Sequence, residues 1–198
     1  MQNKTHNFGE HLNIAHIEPL SYIYGPGERF VVWVQGCSLG CKGCWNQEMW
    51  SFHKHNLIHR EQMFDKIVTS QGITGVTLLG GEPLQQYENV LWLIQKIRKE
   101  TDLSIMLYTG YNQAELQQYI WYPQLLEYCD LLIVGRYIEG QRNTSQQWRG
   151  STNQEVIYPE MSRLVQRPQA IQEVEVIIDA FGKVTVLGYP DVMDRFQD

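Results

Sequence analysis

Cys37, Cys41 and Cys44 stand in a C-x3-C-x2-C loop, and their number bears on what they can hold. Thiolates suit zinc and iron–sulfur clusters alike. Structural zinc takes four ligands, usually from two paired knuckles. The only other cysteine, Cys129, lies far along the chain at the mouth of an apolar strand. A four-iron cluster held by three thiolates keeps one iron without a protein ligand. That iron can bind a small molecule through an amine and a carboxylate. Gly36, Gly40 and Gly43 interleave the thiols and permit the tight turns that wrapping a cluster requires. A zinc knuckle or a set of redox thiols is the competing reading, and the cysteines alone do not exclude it. Cys129, in its apolar setting, is expected to be a small buried hydrophobe rather than a ligand or radical carrier.

Gly80-Gly81-Glu82-Pro83 is the second constellation. It ends a predicted strand, and in a parallel sheet ligands sit beyond the carboxyl ends of strands. Glycines there let backbone approach a ligand closely. Glu82 offers an acceptor to an ammonium group. By itself the tetrapeptide reads equally well as a turn; one strand after the cysteine loop it is more specific. His53, His55 and His59 lie near the cysteines without the H-E-x-x-H spacing of a zinc site. A solvated helix start is the expectation for them.

The elements that must position these residues follow from hydrophobic period. A leading strand is expected near residues 12–17. Residues 30–34 form a short buried strand that runs into the cysteine loop. A helix is expected over 57–70, with Ile58, Met63, Ile67 and Val68 on its inner face. Residues 73–79 are the next strand, delivering Gly80. Tyr87, Val90, Leu91, Ile94 and Ile97 make one apolar helix face. A strand over 104–108 leads to Thr109-Gly110. A short helix over 113–120 and a turn over 125–128 precede the strand 131–134. Strands alternating with helices argue for α/β architecture with a parallel sheet and right-handed crossovers. About four strand–helix units are too few for a closed eight-fold barrel. Residues 172–179 and 183–187 read as a β-hairpin across Ala180-Phe181-Gly182, joined to the core by a connector over 159–168. The expected division is a core over 1–158 and a C-terminal extension over 159–198.

The chain has 198 residues, 43% of them hydrophobic, and a formal net charge of -6. That length suits one domain with a real core and a small appendage. No basic stripe stands out, which speaks against a nucleic-acid binder. No apolar run approaches the roughly 20 residues needed to cross a bilayer, and residues 1–10 lack the apolar core of a signal peptide. A cytoplasmic protein is expected. In a reducing compartment, three of four cysteines crowded together point to metal or redox chemistry rather than disulfides.

The two constellations resemble those of the radical S-adenosylmethionine (SAM) superfamily. Gly25-Pro26-Gly27-Glu28-Arg29 resembles the G-P-G-x-R of its glycyl-radical activases. Cys44-Trp45-Asn46 followed by Trp50 resembles the C-x-N-x3-W of the group that activates anaerobic ribonucleotide reductase, as do residues 130–138 and 149–154. The resemblance implies a partial, open βα barrel, here with a hairpin added. It implies a [4Fe–4S] cluster on Cys37, Cys41 and Cys44, and SAM as second cofactor. Gly80, Gly81 and Glu82 would contact the methionine amino group. Thr109 and Gly110 would touch SAM, and Arg136 would face its ribose or carboxylate. Trp45 and Asn46 would pack beside the cluster, though plain shielding of the loop suits Trp45 equally. Residues 149–154 would line a docking mouth or form a polar turn. A glycyl-radical enzyme would be the protein substrate, with flavodoxin or ferredoxin as reductant. The resemblance stops near Pro159, so the hairpin either closes a sheet edge or shapes a different partner surface or substrate pocket. A radical SAM enzyme acting on another peptide or small molecule is one alternative, and a non-catalytic electron-transfer or sensor module is another.

Overall fold

The stretch Arg29–Val34 reads R-F-V-V-W-V, and every residue in it is buried. A strand buried on both faces belongs in the middle of a covered sheet. In the computed structural model, which describes residues 6–164 and 174–188, that is where it lies. The strands of the sheet are β1 (His11–Ser21), β2 (Arg29–Val34), β3 (Asn56–His59), β4 (Gly75–Gly80), β5 (Ser104–Thr109), β6 (Leu131–Val134) and β7 (Glu155–Ile157). Their order is β3-β1-β2-β4-β5-β6-β7. The four central strands β2, β4, β5 and β6 run parallel. Antiparallel strands flank them: β1 on β2, β3 on β1, and β7 on β6. The sheet is open, with β3 and β7 at its edges.

The helices are α1 (Arg60–Thr69), α2 (Tyr87–Glu100), α3 (Gln113–Leu116) and α4 (Tyr122–Tyr128). Met63, Phe64 and Ile67 of α1 and Val90, Leu93, Ile94 and Ile97 of α2 share one core with Val32, Val34, Leu78 and Leu107 of the sheet. Each such side chain removed from water contributes about 1.5–3 kcal/mol. The opposite sheet face carries Val31, Trp33 and Leu79, and beside them Met106, Leu131 and Ile133 packed under Trp148.

Several expectations shift. Leu57 and Ile58 belong to the edge strand β3, and the helix begins only at Arg60. The register of β3 against His11–Ile14 of β1 outweighs the apparent helical period. Phe64, not Val68, faces the core; Val68 is 42% exposed. The expected helix over 113–120 is a single turn, α3, closed by an Asn112–Glu115 capping box. Residues 125–128 are part of a proper helix, α4. The leading strand extends to Ser21 and is antiparallel to its neighbour.

Arg29 shows what the G-P-G-x-R segment does. Its guanidinium is fully buried at the end of the parallel strands away from the cysteines. Nε donates to Thr77 Oγ1 (3.0 Å), and Nη1 to Ser104 Oγ (2.6 Å) and Pro26 O (3.3 Å). Nη2 donates to the carbonyls of Val76 and Ser104. A Cβ on Gly75 would lie 1.8 Å from Nη1, so only glycine leaves room for the fork. The segment is a rivet joining β2, β4 and β5.

β8 (Val174–Ile178) and β9 (Val184–Gly188) form the hairpin as a separate two-stranded sheet. Asp179 Oδ1 closes its turn by accepting from the amides of Phe181 (2.8 Å) and Lys183 (2.9 Å). It does not extend an edge of the central sheet. It lies on the open face, where Leu187 packs with Tyr24, Val31, Trp33 and Leu79. Ser21 Oγ donates to Glu175 (2.6 Å), and Gly188 N donates to Tyr24 OH (2.9 Å). The start of the expected hairpin (Gln172, Glu173) and the last four residues of the expected connector (165–168) lie outside the described residues, as do residues 1–5 and 189–198.

Candidate cluster site

Four strand ends meet at one side of the sheet. Register places Val34 beside Gly80 and Thr109 beside Val134. The segments that leave β2, β4, β5 and β6 therefore emerge together. They are the cysteine loop, Gly80-Gly81-Glu82, Thr109-Gly110 and Gly135-Arg136.

The cysteine loop is tied down at both ends. Gly36 N donates to Met49 O (2.8 Å) and Cys37 N to Trp50 O (3.0 Å). Buried Gln35 reaches Ser51 O through Nε2 (2.7 Å). Within the loop Cys44 N donates to Cys41 O (3.1 Å). Gly36, Gly40 and Gly43 all take φ between 61° and 107°, the left-handed region the tight turns need. Loop and glycine motif then interlock. Gly81 N donates to Val34 O (2.8 Å) and Glu82 N to Gly36 O (2.9 Å). A Cβ on Gly81 would sit 2.4 Å from Gly36 O, and one on Gly110 would sit 2.4 Å from Leu39 Cδ1. Asn46 Nδ2 reaches Gly80 O at 3.5 Å.

Glu82 is the floor of this junction, 1% exposed. Oε1 accepts from Leu84 N (3.0 Å) and Thr109 Oγ1 (2.9 Å); Oε2 accepts from Gly110 N (2.8 Å). The carboxylate thus staples the ends of β4 and β5, and Oε2 retains acceptor capacity. Burial raises its pKa to about 7, against the lowering pull of those donors and of Arg136. Arg136 projects from the next strand end. Its Nη1 donates to Glu115 Oε2 (2.6 Å) and reaches Gly110 O (3.5 Å). Its guanidinium lies 5.9 Å from the Tyr111 ring centre. Trp45 sits 5.4 Å from the Arg142 guanidinium and lines a small pocket with Tyr137, Asn143, Thr144 and Gly150. The 149–154 stretch turns inward: Asn153 Nδ2 donates to Arg136 O (2.8 Å) and Gln154 Nε2 to Gly135 O (3.0 Å).

Gln86 and Glu115 are among the residues of this junction that the sequence did not single out. Gln86, 4% exposed, gives Nε2 to the carbonyls of Asn13 and Gln35 and takes Asn13 N on Oε1. Glu115 holds Arg136 from its capping box. The N-x-x-E pattern at Asn112 was the available signal for Glu115; nothing local marks Gln86. The histidines are tied to nearby chain: His55 Nδ1 contacts Ile14 O (3.0 Å), and His59 caps α1.

Three free thiols in one loop are a donor set that suits an iron–sulfur group. Among the described residues, no three His, Cys, Asp or Glu side chains are gathered closely enough to ligate one metal ion. Cys129 is fully buried in the helix-side core, before β6 and so at the opposite end of the sheet. Burial pushes the Cys37 thiol up to about 12, reinforced by Glu82 and the neighbouring thiols. Cys41 is raised by burial and by Cys44, with Arg136 opposing. Both shifts favour the protonated thiol, and the positive charge of iron bound there would oppose them.

Residues 23–157 match the family model of a 4Fe-4S single cluster domain. The anaerobic ribonucleoside-triphosphate reductase-activating proteins of Vibrio cholerae and Haemophilus influenzae are each 36% identical over 151 residues, covering 72% of this chain and 96% of theirs. That of Enterobacteria phage T4 is 32% identical over 72% of this chain and 92% of its own. QueE from Escherichia coli superposes with a TM-score of 0.37 at 19% identity, covering 51% of this chain and 52% of its own, too little to bear on the fold or chemistry. The chain belongs to the 4Fe-4S single cluster domain family and to the anaerobic ribonucleoside-triphosphate reductase-activating proteins. Among the described residues, no helix is long and apolar enough to cross a membrane.

Proposed function

We propose that this chain is a radical SAM activase: an enzyme that cleaves SAM reductively and places a radical on a glycine of an anaerobic ribonucleotide reductase. The observation that carries the reading is the interlock of one loop carrying three cysteines with a glycine strand end floored by Glu82. The relatives' names support the choice of partner. Cys37, Cys41 and Cys44 hold the cluster and leave one iron to SAM. A reduced cluster held there would supply the one electron that reductive cleavage of SAM needs before hydrogen is taken from a glycine Cα of the partner.

The chain's own residues bind, orient and exclude water. Gly80 and Gly81 let β2 and Gly36 pack against the strand end beside which the methionine end of SAM lies, and Oε2 of Glu82 accepts from its ammonium. Thr109 and Gly110 form the adjoining wall. Arg136, steadied by Glu115, faces the carboxylate or ribose. Trp45 and Asn46 shield the cluster side. The open sheet then acts as a partial barrel around this end, the core over 1–158 carries the chemistry, and the extension over 159–198 is accessory to it. Flavodoxin or ferredoxin is the proposed reductant, in the cytoplasm.

The test is anaerobic reconstitution with iron and sulfide, then dithionite and SAM, with 5′-deoxyadenosine measured by chromatography. Product is expected in the wild type and absent in Cys41→Ala. A fully reconstituted wild type that makes none refutes the reading.

A further inference from the structure

Gln85 has no part in the roles above, yet it grips the cysteine loop. It follows Pro83-Leu84 in the turn between β4 and α2 and is 1% exposed. Its amide makes three side-chain hydrogen bonds. Oε1 accepts from Ser38 N (2.9 Å), while Nε2 donates to Ser38 Oγ (2.7 Å) and to Tyr111 OH (3.0 Å). Ser38 is the residue directly after Cys37, and it is exposed. An exposed loop residue is thus held from beneath, on backbone and side chain at once, by a buried amide.

The orientation of that amide is fixed on both sides. Ser38 N can only donate, so it must face Oε1. Nε2 must then face the two hydroxyl oxygens. A primary amide is the one common side chain that presents an acceptor and two donors side by side. A buried amide that loses partners is left with desolvated polar atoms, so Ser38 is costly to move. The clamp therefore limits the conformations of the first turn of the loop, the part that carries Cys37 toward Cys41. Its other arm ends on Tyr111, the ring beside the Arg136 guanidinium.

We propose that Gln85 is a positioning residue for the cluster: through Ser38 it holds the cysteine loop in its ligating shape before iron arrives. This rests on the reading of Cys37, Cys41 and Cys44 as ligands.

The test compares reconstituted wild type, Gln85→Leu, Ser38→Ala, Tyr111→Phe and the double variant Gln85→Leu/Ser38→Ala. The rate of iron release to a chelator is followed anaerobically, and urea denaturation of each apoprotein is measured beside it. Gln85→Leu is expected to release iron about tenfold faster, the equivalent of about 1.4 kcal/mol. Ser38→Ala should show a lesser acceleration, because the bond from Ser38 N to Gln85 Oε1 remains, with only a small drop in urea midpoint from the Nε2 donor that loses Ser38 Oγ. The double variant should match Gln85→Leu alone, since the two residues share the same bonds. Tyr111→Phe, which leaves both bonds to Ser38 in place, should release iron at close to the wild-type rate. Wild-type release from Ser38→Ala, or effects that add in the double variant, overturns the proposal. If Gln85→Leu does not fold, the Ser38→Ala rate decides alone. A wild type that takes up no cluster sinks the ligand reading and this inference with it; a stable wild-type cluster with an indifferent Ser38→Ala sinks the inference only.

Discussion

Gly81→Ala isolates the interlock between the two loops. The Gly81 backbone is not in the left-handed region, so alanine suffers no conformational strain there. What it meets is backbone: its Cβ would lie 2.4 Å from Gly36 O, 2.9 Å from Gly36 C and 3.0 Å from Gly36 N. Ordinary carbon contacts lie near 3.5 Å or beyond, so one loop must retreat by about 1 Å. Neither has slack, because Glu82 N is bonded to Gly36 O and Gly36 N to Met49 O. Overpacking of this kind costs about 1–3 kcal/mol, and a stretched Glu82–Gly36 bond adds about 1 kcal/mol. The expected loss is therefore about 2–4 kcal/mol in urea denaturation of the apoprotein, with less iron taken up on reconstitution. Two controls separate the causes. Gly72→Ala has open space but φ of +77°, and should lose about 1 kcal/mol from strain alone. Gly140→Ala has neither clash nor positive φ and should be neutral within about 0.5 kcal/mol. If Gly81→Ala is as stable as Gly140→Ala and binds iron fully, the two loops do not interlock as described.

Cys129→Ala removes a buried thiol from the core and is expected to cost about 1 kcal/mol while leaving iron and sulfide content at wild-type level, whereas Cys41→Ala should lose the intact cluster; elemental analysis decides both. Arg29→Lys cannot reproduce the fork to Thr77, Ser104 and Val76, and should lose about 3 kcal/mol in urea denaturation with no change in the iron bound per folded molecule. Because the folded pKa of Glu82, about 7, lies above the ordinary 4.5, the folded apoprotein holds that proton more tightly than the unfolded chain. Its contribution is therefore most favourable below about pH 4.5 and falls as pH rises to about 7. The stability difference between wild type and Glu82→Gln should shift against the wild type across that window, and a flat difference would contradict the burial argument.

What the sequence determined by itself is the chemistry that lies in residue type and local order. Three cysteines interleaved with glycine, and a Gly-Gly-Glu-Pro at a strand end, mark the candidate site wherever the chain goes. The four buried parallel strands were legible too, because their apolar runs are short and bounded by turn residues. So was the hairpin over β8 and β9, whose alternation is local. Contacts between distant segments were not legible. Leu57 and Ile58 have the spacing of a helix face and become a strand only because β1 offers them an edge. Arg29 looked like a family signature and proved to be a buried rivet, since only the packed sheet brings Thr77 and Ser104 around it. Gln85 and Gln86 are two unremarkable amides in the sequence; the fold buries them and gives each three hydrogen bonds to two residues distant in the chain. The hairpin's seat on the sheet face, rather than on an edge, was likewise settled by Leu187 finding Trp33 and Tyr24. Candidate ligands can be named from types and spacing. The arrangement that holds it depends on which polar atoms lose water together, and only the tertiary structure decides that.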